Sequence, residues 1–189
     1  MKRTISSIIL CLTLAAACLT GCGDKEETAT TAATTEAGAT EAQATASGLA
    51  GKTQVTYNGV TFGCGDKASE VVAKLGDQVR PSETAQPCIP GVGELTHFYF
   101  PGLVITASQY DVIRQVTLTN DYAEGTDAKI GGSIGLGTKS DEIKSTLGDP
   151  TTEDEYGLSY SEGDYSFNVV FNDEGGAMSL YIENISIEL

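Results

Sequence analysis

The chain has 189 residues, with 26 acidic side chains against 11 basic ones, a net charge of −15, one histidine, no tryptophan and five cysteines. That length suits one domain or two small ones with extensions, and the charge excludes nucleic acid as a partner, because phosphate binding needs clustered Lys and Arg. A single histidine removes most histidine-based metal sites, and an odd number of cysteines needs an explanation in any oxidising compartment.

Lys2 and Arg3 form a positive n-region, followed by an apolar stretch from Ile5 to Ala17. This has signal-peptide length and falls short of the ~20 residues that span a bilayer. It ends in Leu19-Thr20-Gly21-Cys22, which resembles the lipobox of bacterial lipoproteins: an aliphatic residue, a small residue, Gly or Ala, then Cys. The resemblance implies that residues 1–21 are a lipoprotein signal peptide and that Cys22 becomes the N-terminus, its thiol carrying a diacylglyceryl group. No cofactor is expected beyond that lipid. Two acyl chains anchor stably where one does not, so the expected location is the bacterial cell membrane, lipid-anchored and facing outside the cytoplasm.

Cys11 and Cys18 leave with the signal and Cys22 is taken by lipid, so Cys64 and Cys88 remain. An even pair in an extracytoplasmic protein predicts a disulfide, worth roughly 3 kcal/mol for a loop of this size; two free thiols in a reducing niche are the alternative. Residues 22–51 are almost wholly Thr, Ala, Glu, Gly, Gln and Ser, with Leu49 the only large aliphatic side chain. Such a segment buries too little apolar surface to offset its ordering entropy and is expected to be a disordered tether reaching on the order of 30 Å.

The remaining residues, 52–189, repeat themselves. Gly65 to Asp77 aligns with Gly137 to Asp149, six of thirteen positions being identical, including Lys67 with Lys139, Glu70 with Glu142 and Leu75 with Leu147. Two units are expected, 52–126 and 127–189. Each opens with a short strand (Val55 to Phe62, Ile130 to Leu136) and continues into a short helix (Lys67 to Leu75, Lys139 to Leu147). Asp66 and Thr138 are the candidate N-caps, Gly76 and Gly148 the glycine stops. Three alternating strands follow in each unit: Thr96 to Phe100, Leu103 to Ser108 and Val112 to Asn120, then Leu158 to Ser161, Tyr165 to Phe171 and Met178 to Ile187. Alternation such as Tyr165, Phe167, Val169 and Phe171 against Ser166 and Asn168 marks a sheet with one buried face. The expected fold class is α+β: two tandem units of short helix plus antiparallel meander, with the helices on one face of the sheet.

The two glycine-stopped helices, each followed by a meander, resemble the tandem domains of the beta-lactamase inhibitory protein type and the single BamE-like (small outer-membrane lipoprotein A) domains. That resemblance implies a helical layer on one side of the sheet and an open, often concave, face used for protein binding. One helix per unit, where the inhibitor has two, is a departure from the pattern.

Several motifs resemble chemistry. Gly131-Gly132-Ser133-Ile134-Gly135 matches the Gly-x-Ser-x-Gly elbow of hydrolases, but the only histidine, His97, precedes the serine instead of following it. Lys139 comes two residues after Gly137, which breaks the P-loop geometry. Residues 127–189 carry 13 acids and 3 bases against 8 and 5 in 52–126. Glu153, Asp154 and Glu155, with Asp149 nearby, could serve Ca²⁺, yet no Asp-x-Asp-x-Asp-Gly loop accompanies them and a solvated loop is the expectation. Phe98 and Phe100 are the better core residues, which turns His97 and Tyr99 outward. Thr117, Asn168 and Tyr181 join them on the open face, an aromatic-polar mixture suited to recognition. The expected function is a non-catalytic lipoprotein that binds an envelope protein or polymer. The alternatives are a hydrolase using paired carboxylates and a small-ligand binder needing an apolar pocket of at least ~300 Å³.

Overall fold

The structure is a computed structural model that describes residues 48–88, 93–122 and 126–187. The expected signal peptide, Cys22 and most of the expected tether lie outside the described residues. The first described element is a short helix, Gly48–Lys52 (α1), upstream of the expected domain start at Lys52. Leu49, the one large aliphatic side chain of the expected tether, is buried in the core, and the Thr53 hydroxyl donates to its carbonyl at 2.8 Å.

Val55 to Phe62, expected as one strand, is a hairpin of Val55–Tyr57 (β1) and Val60–Phe62 (β2). Asn58 and Gly59 turn it with φ of 49° and 77°, the two positive angles that a type I′ turn demands and Asn-Gly tolerates. After the helix Ala68–Leu75 (α2) come Arg80–Ala85 (β3), Leu95–Phe100 (β4), Leu103–Ser108 (β5) and Ile113–Thr119 (β6). Lys129–Ile130 (β7) returns to pair with β1, closing a three-stranded sheet. The helix Ser140–Leu147 (α3) leads to Thr152–Glu153 (β8), Gly157–Glu162 (β9), Tyr165–Phe171 (β10) and Ala177–Asn184 (β11).

Eight strands form one antiparallel sheet in the order β3-β4-β5-β6-β11-β10-β9-β8. Two meanders thus join through their last strands, with Val116 of β6 opposite Ile182 of β11. Phe98, Ile105, Val116, Ile182, Phe167 and Tyr160 stand opposite one another across six strands. Beside them runs a second row of Phe100, Leu103, Leu118, Leu180, Val169 and Leu158. Both rows pack on Val71 and Leu75 of α2, Ile143 and Leu147 of α3, and Val55, Tyr57, Phe62 and Ile130 of the small sheet. The helices and the small sheet therefore cover one face, and the fold is α+β, dominated by antiparallel strands. Each fully buried Leu, Ile or Phe contributes about 1.5–3 kcal/mol.

The helix starts differ from expectation. Lys67 and Lys139, with extended backbone, precede α2 and α3, and neither helix has a side-chain cap from its own flank. Asp66 and Thr138 reach backwards instead: the Gly63 amide donates to Asp66 Oδ2 at 2.8 Å, the Gly135 amide to Thr138 Oγ1 at 2.9 Å. For α2 a distant residue supplies the missing acceptor, the Ser69 amide donating to Asp111 Oδ1 at 2.9 Å.

The two edges of the large sheet are unalike. β3 carries Pro81 and an irregular register between Arg80 and Glu83, whereas β8 is two residues long.

Candidate functional site

Successive strand residues point to opposite faces, so the positions between the core rows make up the other face of the sheet. Arg80, Tyr99, Val104, Thr117, Tyr181, Asn168, Ser159 and Thr152 stand opposite one another across all eight strands. At ~4.8 Å per strand this row is roughly 34 Å long. A parallel row holds Glu83, His97, Thr106, Gln115, Glu183, Ser166 and Ser161. Four of the five residues expected on this face, Tyr99, Thr117, Tyr181 and Asn168, share the first row, and His97 is in the second.

Tyr99 is on the expected face but is not exposed; only 6% of its surface remains accessible. The Arg80 guanidinium lies over its ring, Tyr122 packs against it with ring centres 4.9 Å apart, and its hydroxyl donates to Glu83 at 3.2 Å. Arg80 and Glu83 are themselves ion-paired. Burial and the bond to Glu83 push the Tyr99 phenol above its ordinary value. His97 is half-buried, with Nδ1 3.0 Å from the Thr106 hydroxyl; burial lowers its pKa and the Glu83 carboxylate opposes that. Sequence reasoning missed Arg80, Glu83 and Tyr122. β3 reads Arg-Pro-Ser-Glu-Thr-Ala, with no apolar alternation to reveal a strand.

At the opposite end the face dips into an open depression of about 280 Å³ lined by Thr152, Asp154, Tyr156, Ser159, Asn168 and Tyr181 among others. Ser159 donates to Asn168 Oδ1 at 2.7 Å, and Asn168 Nδ2 donates to Ser166 at 3.3 Å. Asp154 Oδ1 accepts the amides of Tyr156 and Gly157 at 2.8 and 2.9 Å. Glu153 pairs with Lys144 of α3. Of the four acidic residues considered for Ca²⁺, Asp154 is thus engaged in a turn and Glu153 in an ion pair, and among the described residues no group of three or more His, Cys, Asp or Glu is placed to hold a metal. Ser133, of the Gly-x-Ser-x-Gly sequence, lies 3.4 Å from the Thr146 hydroxyl, while His97 belongs to the far face of the large sheet.

Cys64 and Cys88 are not bridged; both are free thiols, Cys88 exposed. The Cys64 thiol donates to the Arg114 carbonyl at 3.1 Å, and burial, the largest cause, pushes its pKa up to about 12. The expected Cys64–Cys88 disulfide is not formed in this structure, where the Cys64 thiol makes an internal hydrogen bond instead.

No protein-family model matches the chain, and no curated protein matches it in sequence. Among solved structures it is similar to a DUF4309 family protein (YjgB) from Bacillus subtilis, at 15% identity and a TM-score of 0.39 over 62% of this chain and 78% of that one.

Proposed function

We propose that the protein is a membrane-anchored, extracytoplasmic lipoprotein whose domain binds an envelope protein or polymer, without catalysis, through the open face of its large sheet. One observation carries the binding face: the eight-residue row from Arg80 to Thr152, which crosses every strand and presents the Arg80 side chain, the Tyr181 ring, hydroxyls and an amide, Tyr99 lying beneath Arg80. Bulk hydrophobicity does not mark such surfaces; rigid aromatic anchors with satisfied polar neighbours do. The anchoring half of the proposal rests on the Leu19-Thr20-Gly21-Cys22 sequence alone.

The same proposal reads the domain as two copies of one unit. Its support is a set of matched bonds. Gly65 donates to Ile113 as Gly137 does to Ala177, and Ile113 donates back to Asp66 as Ala177 does to Thr138. A tandem origin fits the resemblance to inhibitory-protein-type domains, whose open faces bind proteins.

Expression of the full chain in a bacterium tests both halves. Detergent-phase partitioning and a lipid mass increment are expected for the wild type and lost in Cys22→Ser. A photo-crosslinking residue at Thr117 should capture an envelope component, whereas one at Glu142 on α3 should not. Equal capture at both positions, or none at Thr117, rejects the binding face.

A further inference from the structure

We propose that the depression at the β8–β9 end of the open face is a binding site for an uncharged glycan, an inference that rests on the open-face reading above and names its ligand class. The floor and rim carry two kinds of group. Tyr156 is 68% exposed and Val170 39% exposed, and with Tyr181 they line the same hollow. Exposed rings beside a concave surface offer the flat apolar contact that the C–H faces of a sugar ring need.

Polar recognition is built beside them. Asn168 is held by one accepted bond from Ser159 and one donated bond to Ser166. A carboxamide has two N–H donors and a carbonyl with two lone pairs, so one donor and one acceptor remain on a side chain already fixed in orientation. A pair of neighbouring sugar hydroxyls takes one of each. Asp154 is fixed in the same manner, its Oδ1 occupied by two turn amides and its second oxygen left as an acceptor. Groups locked before a ligand arrives lose little entropy on binding.

Charge selects among the ligands that would fit. Residues 127–189 hold 13 acids and 3 bases, which repels anionic polymers. A cation would need free carboxylates, yet of the two acids that line the hollow Glu153 is paired with Lys144 and Asp154 is half consumed. A neutral ligand is left. The depression is also open and sits beside the two-residue edge strand, so a chain can pass through without ending there.

The test is calorimetric titration of the full chain, kept in a sugar-free detergent, with chitotetraose, maltohexaose and cellohexaose as neutral probes, polygalacturonate as the anionic one and tetralysine as the cationic one. At least one neutral oligomer should bind, and its affinity should fall roughly tenfold in both Tyr156→Ala and Asn168→Ala. Tyr110→Ala, which removes an exposed ring outside the face, should leave it unchanged. Unaltered thermal unfolding of the variants guards against misfolding. Binding of no neutral oligomer, or binding that survives Tyr156→Ala, overturns the glycan site. Tetralysine binding that is lost in Asp154→Asn also overturns it, but leaves the open face as a recognition surface. A Thr117 crosslink that is empty or no stronger than that at Glu142, together with silent titrations, removes both.

Discussion

The Arg80 guanidinium carbon lies 4.1 Å from the centre of the Tyr99 ring and 5.4 Å from that of Tyr122. A planar cation set against a pair of packed phenols, itself ion-paired to Glu83, ties the edge strand β3 to β4 and to the chain after β6. Cation–π contacts of this exposure contribute about 0.5–1 kcal/mol. Arg80→Ala is expected to lower unfolding free energy by about 1 kcal/mol in urea titration. Tyr99→Phe keeps the ring and loses only the bond to Glu83, at about 0.5–1 kcal/mol. An Arg80→Lys variant as stable as wild type would show that the guanidinium's contact with the rings contributes nothing beyond its charge.

Gly76 and Gly148 end α2 and α3 with φ of 95° and 92° and ψ of −152° and −162°. This region is closed to side chains, at a cost of order 1–3 kcal/mol. A Cβ at either position would meet no atom within 4 Å, so the cost is backbone strain alone. Gly76→Ala and Gly148→Ala should each destabilise by about 1–3 kcal/mol, and the double variant by close to the sum, since distant sites add. Wild-type melting temperatures in the single variants would contradict this.

Asp111 supplies from across the fold what no residue before α2 supplies, accepting the Ser69 amide at 2.9 Å and the Ser69 hydroxyl at 2.5 Å. Its own φ is 63°, a conformation that Asp and Asn tolerate better than other non-glycine residues. Loss of a cap costs about 1 kcal/mol. Asp111→Ala should therefore cost somewhat more than that, by adding strain, while Asp111→Asn keeps one acceptor and the backbone angle and should cost less. Chemical denaturation orders the pair; the reverse order would rule out capping.

The Cys64 thiol, with its pKa raised from 9.0 to about 12 by burial, makes stability pH-dependent. Unfolded, it loses its proton near the ordinary value; folded, it keeps it. Below that value its contribution is complete. Between pH 9 and 12 the unfolded state binds fewer protons, and stability falls by about 1.4 kcal/mol per unit. Tyr165 beside it is also raised, chiefly by burial, and extends the decline upward. Unfolding titrations from pH 7 to 10.5 should show the fall beginning near 9 and becoming shallower in Cys64→Ala. In the folded protein at pH 8, Ellman's reagent should modify Cys88 and leave Cys64 until denaturant is added.

Much of this was legible in the residues, and the limits have physical causes. Both helices were readable to within a residue of Ala68–Leu75 and Ser140–Leu147, because apolar spacing and a terminal glycine point the same way. Tyr165 to Val169 alternates strictly, with Tyr, Phe and Val buried against Ser and Asn, so only one register buries it. β3 left no trace, since an edge strand with neither face in the core needs no apolar residues. Alternation placed Tyr99 on the right face, yet it could not show that Arg80 and Tyr122, 19 residues before and 23 after it, would cover the ring. Leu49 shows the same limit in reverse: composition assigned it to the tether, and the structure buries it in the core.

The unequal margins of the large sheet have a consequence for copies of the protein at high local density. An unfinished strand invites another molecule's strand to pair with it, and the process repeats without end. Here Pro81 lacks the N–H that one more partner would need, the irregular register beside Glu83 breaks the spacing of the rest, and β8 offers two residues at the far side. Neighbours can crowd together, and each sheet still stops at its eighth strand.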